Sequence, residues 1–184
     1  ISDPKELENG FPDTIEDLFK YQGIIIGNVE ASYFSAVQQS LLKEFVDRRG
    51  GGVLFLGGRA ALSDGAWNHS AVAEMMPLTL PDRKGTFHRD PANVDLTNAG
   101  RDSLITRIEE NSEKNSARWK ALPYLADFQE TGAPKPGALV LAEALPTSKG
   151  RIPLLVTQNY GRGRTAIFAT GGSWRWQMSQ DSKD

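Results

Sequence analysis

Two short apolar runs, Ile24-Ile25-Ile26 and Val53-Leu54-Phe55-Leu56, flank a single amphipathic stretch, and this arrangement constrains the fold more than any other feature of the chain. The β-branched first run suits a strand buried on both faces. Between the runs, Phe34, Val37, Leu41, Leu42, Phe45 and Val46 recur at spacings that place them on one face of a helix. Ser32 is positioned to cap that helix. Arg48 and Arg49 fall in its last turn, where the helix dipole favours cations, and Gly50 follows where a left-handed C′ residue is expected. A strand, a crossover helix and a strand of these lengths imply parallel pairing with a right-handed crossover.

Around this unit the pattern is looser. Asp13 with Glu16 reads as a helix start, giving a short helix over 14–20, and Gly23 releases the chain into the first strand. Short helices are expected over 71–76, 102–110 and 116–122, with a loop rich in Pro, Gly and charge over 77–91. Strands are expected over 125–130, 138–144, 152–157 and 164–169, the last two joined as a hairpin through the Asn159-Tyr-Gly-Arg-Gly163 turn. The expectation is a mainly parallel α/β core with antiparallel strands added at one edge.

At 184 residues the chain is one domain, residues 1–184, and is long enough to hold a core without metal or disulfide. A formal net charge of −2 provides no global field that would draw it to nucleic acid or to an anionic membrane. The longest purely aliphatic run is three residues, so direct membrane insertion is not expected. Residue 1 is Ile, and residues 177–184 are polar and end without a closing apolar element, so both ends read as cut from a longer parent. There is no cysteine, which excludes thiolate metal sites, iron–sulfur clusters and every cysteine nucleophile within this chain.

In an open parallel sheet, ligands bind beyond the carboxyl ends of the strands. Three loops are placed there: one carrying Gly27, Asn28 and Glu30, one carrying Gly57, Gly58 and Arg59, and one carrying Gly171, Gly172, Ser173 and Trp174. The Gly57-Gly58-Arg59 loop offers backbone N–H groups and a guanidinium, chemistry suited to a small carboxylate or phosphate; the alternative is a tight turn with a solvated arginine. Trp67, Trp174 and Trp176 could form an aromatic platform for a sugar or peptide, or pack as a strand-end core or against other segments of the parent. Asp64, His69 and Ser63 or Ser70 have the composition of a hydrolytic triad but lack the Gly-x-Ser-x-Gly elbow. His69 and His88 lack the spacing of a metal-ligating pair, so neither metal nor cofactor is expected. Arg162 and Arg164 read as solvated turn residues.

The string Phe11-Pro12-Asp13-Thr14, Tyr21, the 24–27 strand, Phe45-Val46, Arg49-Gly50-Gly51-Gly52, Leu56-Gly57-Gly58, Tyr160-Gly161-Arg162-Gly163-Arg164 and Trp174-Arg175-Trp176 resembles the glutamine amidotransferase-like domain of the class I superfamily. The resemblance implies a three-layer, flavodoxin-like fold within a large, membrane-anchored bacterial protein. It also implies a strand and helix before residue 1 and a closing helix after residue 184. The superfamily's glutaminase chemistry needs a Cys on a strand-to-helix elbow with a His and a carboxylate after a late strand. Here the elbow reads Gly57-Gly58-Arg59-Ala60 and the late stretch reads Gly171-Gly172-Ser173-Trp174. The expected function is therefore a binding or scaffolding module that lacks glutaminase activity, with other segments of the parent and a small anionic or sugar ligand as partners. The alternatives are a hydrolase or transferase of another class, or a sugar-binding module, using the same crevice.

Overall fold

In the computed structural model, which describes residues 10–178, the expected crossover is present. Strand β1 (Gly23–Ile26) leads through helix α2 (Ala36–Asp47) to strand β2 (Gly52–Leu56), and the strands pair in parallel from Gly23 opposite Gly52 to Ile26 opposite Phe55. A short helix α1 (Ile15–Leu18) precedes them, capped by Thr14 rather than Asp13 because the Thr14 hydroxyl accepts from the N–H of Asp17. Helix α2 starts three residues later than Ser32 would place it. Ser35 and Gln38 form a reciprocal capping box, and residues Ala31–Tyr33 make a separate 3-10 turn. Phe34 is thereby left outside the helix, packed edge-on against Phe11 and tilted against Trp67. Leu41, Leu42, Phe45 and Val46 form the buried face, and Gly50 adopts φ +82° just past the helix end.

The remaining strands are β3 (Phe87–His88), β4 (Ala92–Leu96), β5 (Phe128–Gln129), β6 (Leu139–Pro146), β7 (Ile152–Tyr160) and β8 (Gly163–Phe168). Six strands form one sheet in the order β1-β2-β8-β7-β6-β4, while β3 and β5 pair as a separate two-stranded ribbon. Because β8 is parallel to β2 while β7, β6 and β4 each run antiparallel to the preceding strand in that order, four of the six strands point the same way. Helix α2 covers the face carrying Val53, Phe55, Thr165 and Ile167. Helices α3 (Asn98–Asp102) and α4 (Ser112–Ala121) pack on the other side of β6 and β4, and Trp176, in the closing helix α5 (Arg175–Met178), bridges Trp119 of α4 to Phe168 of β8. The fold is thus α/β and layered, as the sequence implies. Among the described residues no helix is long and apolar enough to cross a membrane.

Three local expectations are corrected. Strand β1 lies at the sheet edge, so Ile26 is 4% exposed but Ile25 is 69% exposed; burial on both faces does not hold. Residues 102–110 are not one helix. Ser103 is extended, a 3-10 turn spans Leu104–Thr106, and the Asn115 side chain holds the N–H groups of Ile108 and Glu109. Strand β4 was not expected, although Ala92, Val94 and Leu96 alternate as buried residues. The polar tail of residues 177–184 lies outside the described residues from 179 onward.

Helix α3 sits so close to β6 that a Cβ at Gly100 would meet the Leu141 backbone, 2.8 Å from its carbonyl carbon and nearer still to its oxygen. Backbone cannot yield as a flexible side chain can. Gly100→Ala is therefore expected to cost about 1–3 kcal/mol in urea unfolding, despite alanine's higher helix propensity.

Candidate functional site

The carboxyl ends of β1, β2 and β8 meet, and the loops that follow them form one crevice of about 600 Å³. Six of the residues expected at a site line it: Asn28, Gly57, Gly58, Arg59, Gly171 and Trp174. Gly27, Glu30, Gly172 and Ser173 do not. Glu30 is instead an exposed acceptor for the Ser32 hydroxyl, and Gly172 is buried with its N–H donated to Thr170 Oγ1. Phe87, Arg89, Ala126, Asp127 and Arg175 complete the lining. The β3–β5 ribbon brings in the first four, and a ribbon with two residues per strand leaves almost no periodic trace in a sequence.

Close backbone approach defines the loop after β2. The Gly57 N–H donates to Phe168 O at 2.8 Å, and a Cβ at Gly57 would lie 2.5 Å from Thr170 N and 2.6 Å from the Ala169 carbonyl carbon. A Cβ at Gly58 would collide with the Asn28 amide, 2.8 Å from its carbon. Neither position can carry a side chain without displacing its surroundings. Most of the N–H donors expected to be free in this loop are engaged within the protein. Gly58 N–H donates to Gln129 Oε1 at 3.1 Å, Ala60 N–H to Asn28 Oδ1 at 2.7 Å, and Ala61 N–H to Gly58 O at 3.2 Å. After β8, Gly171 N–H is likewise taken by Asp127 Oδ1 at 2.8 Å.

What the crevice presents is guanidinium. Arg59, Arg89 and Arg175 line it against one carboxylate, Asp127, which is engaged by Gly171 and the Thr170 hydroxyl. Arg59 lies over the Phe87 ring at 6.0 Å, and Arg175 lies 5.5 Å from the Trp174 ring and 5.2 Å from that of Tyr124. Three planar cations around one cavity favour carboxylate or phosphate over neutral ligands.

Beneath the crevice, the fully buried Gln129 clamps two segments, residues 58–64 and Thr86. Its Oε1 accepts from Gly58, while its Nε2 lies 2.8 Å from Ala61 O, 3.1 Å from Thr86 Oγ1 and 3.2 Å from Asp64 Oδ2. Asp64 accepts from the N–H groups of Gly85, Thr86 and Phe87 and from the Thr86 hydroxyl. Burial pushes its pKa up, but these hydrogen bonds together outweigh burial and hold the carboxyl below the usual aspartate range. Asp64 is therefore a structural acceptor and not a member of a triad.

The other candidates separate in the same way. His69 pairs with Asp82 at an exposed position, 2.9 Å away. His88 stacks on Phe128 and lies 2.8 Å from Glu130, which Arg83 and Lys149 also contact; burial, then the Lys149 charge, keeps its imidazole below the usual histidine range. No group of three or more metal-ligating side chains occurs among the described residues. The tryptophans do not form a platform. Trp67 is 1% exposed with its indole N–H on Val29 O, Trp176 is packed against Trp119, and only Trp174 faces the crevice, on a 3-10 turn and helix rather than a strand.

Residues 3–183 match the family described as "Putative glutamine amidotransferase". A search of curated proteins gave no match. Among solved structures, a cytoplasmic protein from Salmonella typhimurium aligns with a TM-score of 0.72 at 19% identity, covering 95% of this chain and 70% of that one. The β-galactosidase from Rahnella sp. R3 aligns with a TM-score of 0.56 at 13% identity over 87% of this chain and 22% of its own. The β-galactosidase Gan42B aligns with a TM-score of 0.54 at 16% identity over 91% of this chain, again only 22% of that enzyme. At these identities the likeness is one of fold, and the chain spans about a fifth of each galactosidase.

Gln129→Leu keeps the volume but strands the Gly58 N–H and the Ala61 oxygen, so it should lower stability in urea by at least about 2 kcal/mol. A group with a depressed folded-state pKa contributes stability above its unfolded pKa and loses it as pH falls through the folded value. For Asp64 that window opens near pH ~4 and extends downward, so Asp64→Asn should flatten the acid limb of the stability profile below about pH 4.

Proposed function

Because the chain belongs to the glutamine amidotransferase-like family, we propose that it is a non-catalytic member, a binding module of a larger, membrane-anchored bacterial protein whose strand-end crevice takes a small anion. The observation that carries this reading is the loop after β2. Family chemistry needs a nucleophilic side chain there, whereas Gly57 and Gly58 have no room for a Cβ and the chain has no cysteine. A base for another nucleophile is equally wanting: neither histidine lines the crevice, and the one carboxylate that does already holds the turn after β8. The arginines supply the binding chemistry. Recurrence of the same fold as about a fifth of larger galactosidase chains supports its use as one part of a bigger protein.

Two measurements test the proposal. Glutamine incubated with the protein should release no ammonia above the buffer rate. Phosphate or malonate at about ten times its Kd should raise the melting temperature by roughly 3–6 °C, and Arg59→Ala should abolish most of that rise. Glutamine turnover would overturn the non-catalytic reading. A flat melting temperature with every anion tested would overturn the ligand class.

A further inference from the structure

Part of the strand-end crevice is aromatic, which a small anion alone leaves unused. Trp174 lines the cavity and is 51% exposed, whereas Trp67, Trp119 and Trp176 all pack into or against the core. The Arg175 guanidinium lies over the Trp174 ring at 5.5 Å and over the Tyr124 ring at 5.2 Å. A cation over one face of the indole steadies the ring and leaves the opposite face for a second planar group to stack on. From the β3–β5 ribbon Phe87 joins the lining, with Arg59 over its ring at 6.0 Å.

The polar lining is rich in donors and short of acceptors. Guanidiniums donate and never accept. Asp127 Oδ1 already accepts from the Gly171 N–H and the Thr170 hydroxyl, and Asn28 Oδ1 accepts from Ala60, so the Asn28 amide nitrogen adds donors to those of the arginines. Among the described residues no carboxylate lies within ion-pair distance of Arg59 or Arg89. Three arginines against the one aspartate leave the lining with a net charge of +2. A phosphate monoester carries about −2 at neutral pH and offers only acceptors to such a lining.

We propose that the crevice takes a nucleoside monophosphate, with the phosphate on Arg59 and Arg89 and the base stacked on Trp174. This ligand class rests on the anion-binding reading of the same site and adds the flat ring to it. The cavity of about 600 Å³ has the size of sites that hold ligands of this kind. A nucleobase brings a π-face for the indole and acceptor atoms on its edge for the remaining donors. A sugar ring lacks that π-face, and its hydroxyls would need acceptors that this lining is short of.

Calorimetric titration of the full chain with AMP, ribose 5-phosphate, adenosine and inorganic phosphate tests this. AMP should bind about ten-fold more tightly than ribose 5-phosphate and at least about ten-fold more tightly than adenosine. Trp174→Ala should bring the AMP and ribose 5-phosphate constants within about two-fold of each other, and Trp174→Phe should restore part of the gap. Both variants should melt with the parent, since this indole lies outside the core. Arg59→Ala should weaken AMP and ribose 5-phosphate alike. Equal constants for those two ligands, an AMP preference that survives Trp174→Ala, or adenosine as tight as AMP would each overturn the proposal. If AMP and ribose 5-phosphate bind equally, the nucleotide falls and the anion site stands; if no phosphate compound binds, both fall.

Discussion

The parallel ladder between β2 and β8 joins two stretches far apart in the sequence, from Gly52 opposite Arg164 to Leu56 opposite Phe168, and it places the ends of both strands side by side. Past those ends the chains come closer still, with Gly57 donating to Phe168 O and its Cα hydrogens turned to the backbone of Ala169 and Thr170. Without that approach the loop after β8 would not reach the loop after β2. The guanidiniums of Arg59 and Arg175 would then have no common cavity. A glycine at this point serves long-range closure, and the local turn is secondary.

Closure creates a polar problem, and Gln129 resolves it. Tight packing of loops under the crevice buries the Gly58 N–H and the Ala61 carbonyl, groups that cost about 1–3 kcal/mol each if left unpaired. One amide side chain bonds both and also reaches Thr86 and Asp64, which in turn collects the backbone of residues 85–87. The β3–β5 ribbon is only two residues per strand, too short to be stable by its own ladder, so this network fixes where Phe87 and Arg89 stand. The electrostatic character of the crevice therefore rests on a neutral buried amide.

Much of this could be read in the residues, and the limits have physical causes. The crossover from β1 through α2 to β2 was legible because its signals are local: two apolar runs, a helical stripe and a C′ glycine. The three loops were legible because strand ends in such a sheet converge as a rule of topology. The edge position of β1 was not, since a run of three isoleucines reads alike in the middle of a sheet and at its margin. Residues 104–108 misled because Leu104, Ile105 and Ile108 share helical spacing, whereas the chain there is held by Asn115 and leaves all three exposed. Gln129 gave no warning. Its importance lies in partners distant in sequence, and one glutamine between Phe128 and Glu130 carries no spacing to read.

The loop after β2 turns most of its backbone donors inward. In an acyl-transfer site such N–H groups face the developing oxyanion, and their value comes from being oriented and unspent before the ligand arrives. Here Asn28 and Gln129 take those of Ala60 and Gly58, so a ligand entering the crevice would meet side-chain guanidiniums with few backbone donors beside them. With no side chain at Gly57 or Gly58 the loops approach within the reach of a Cβ, and the N–H groups of Gly58 and Ala60 find partners within the protein.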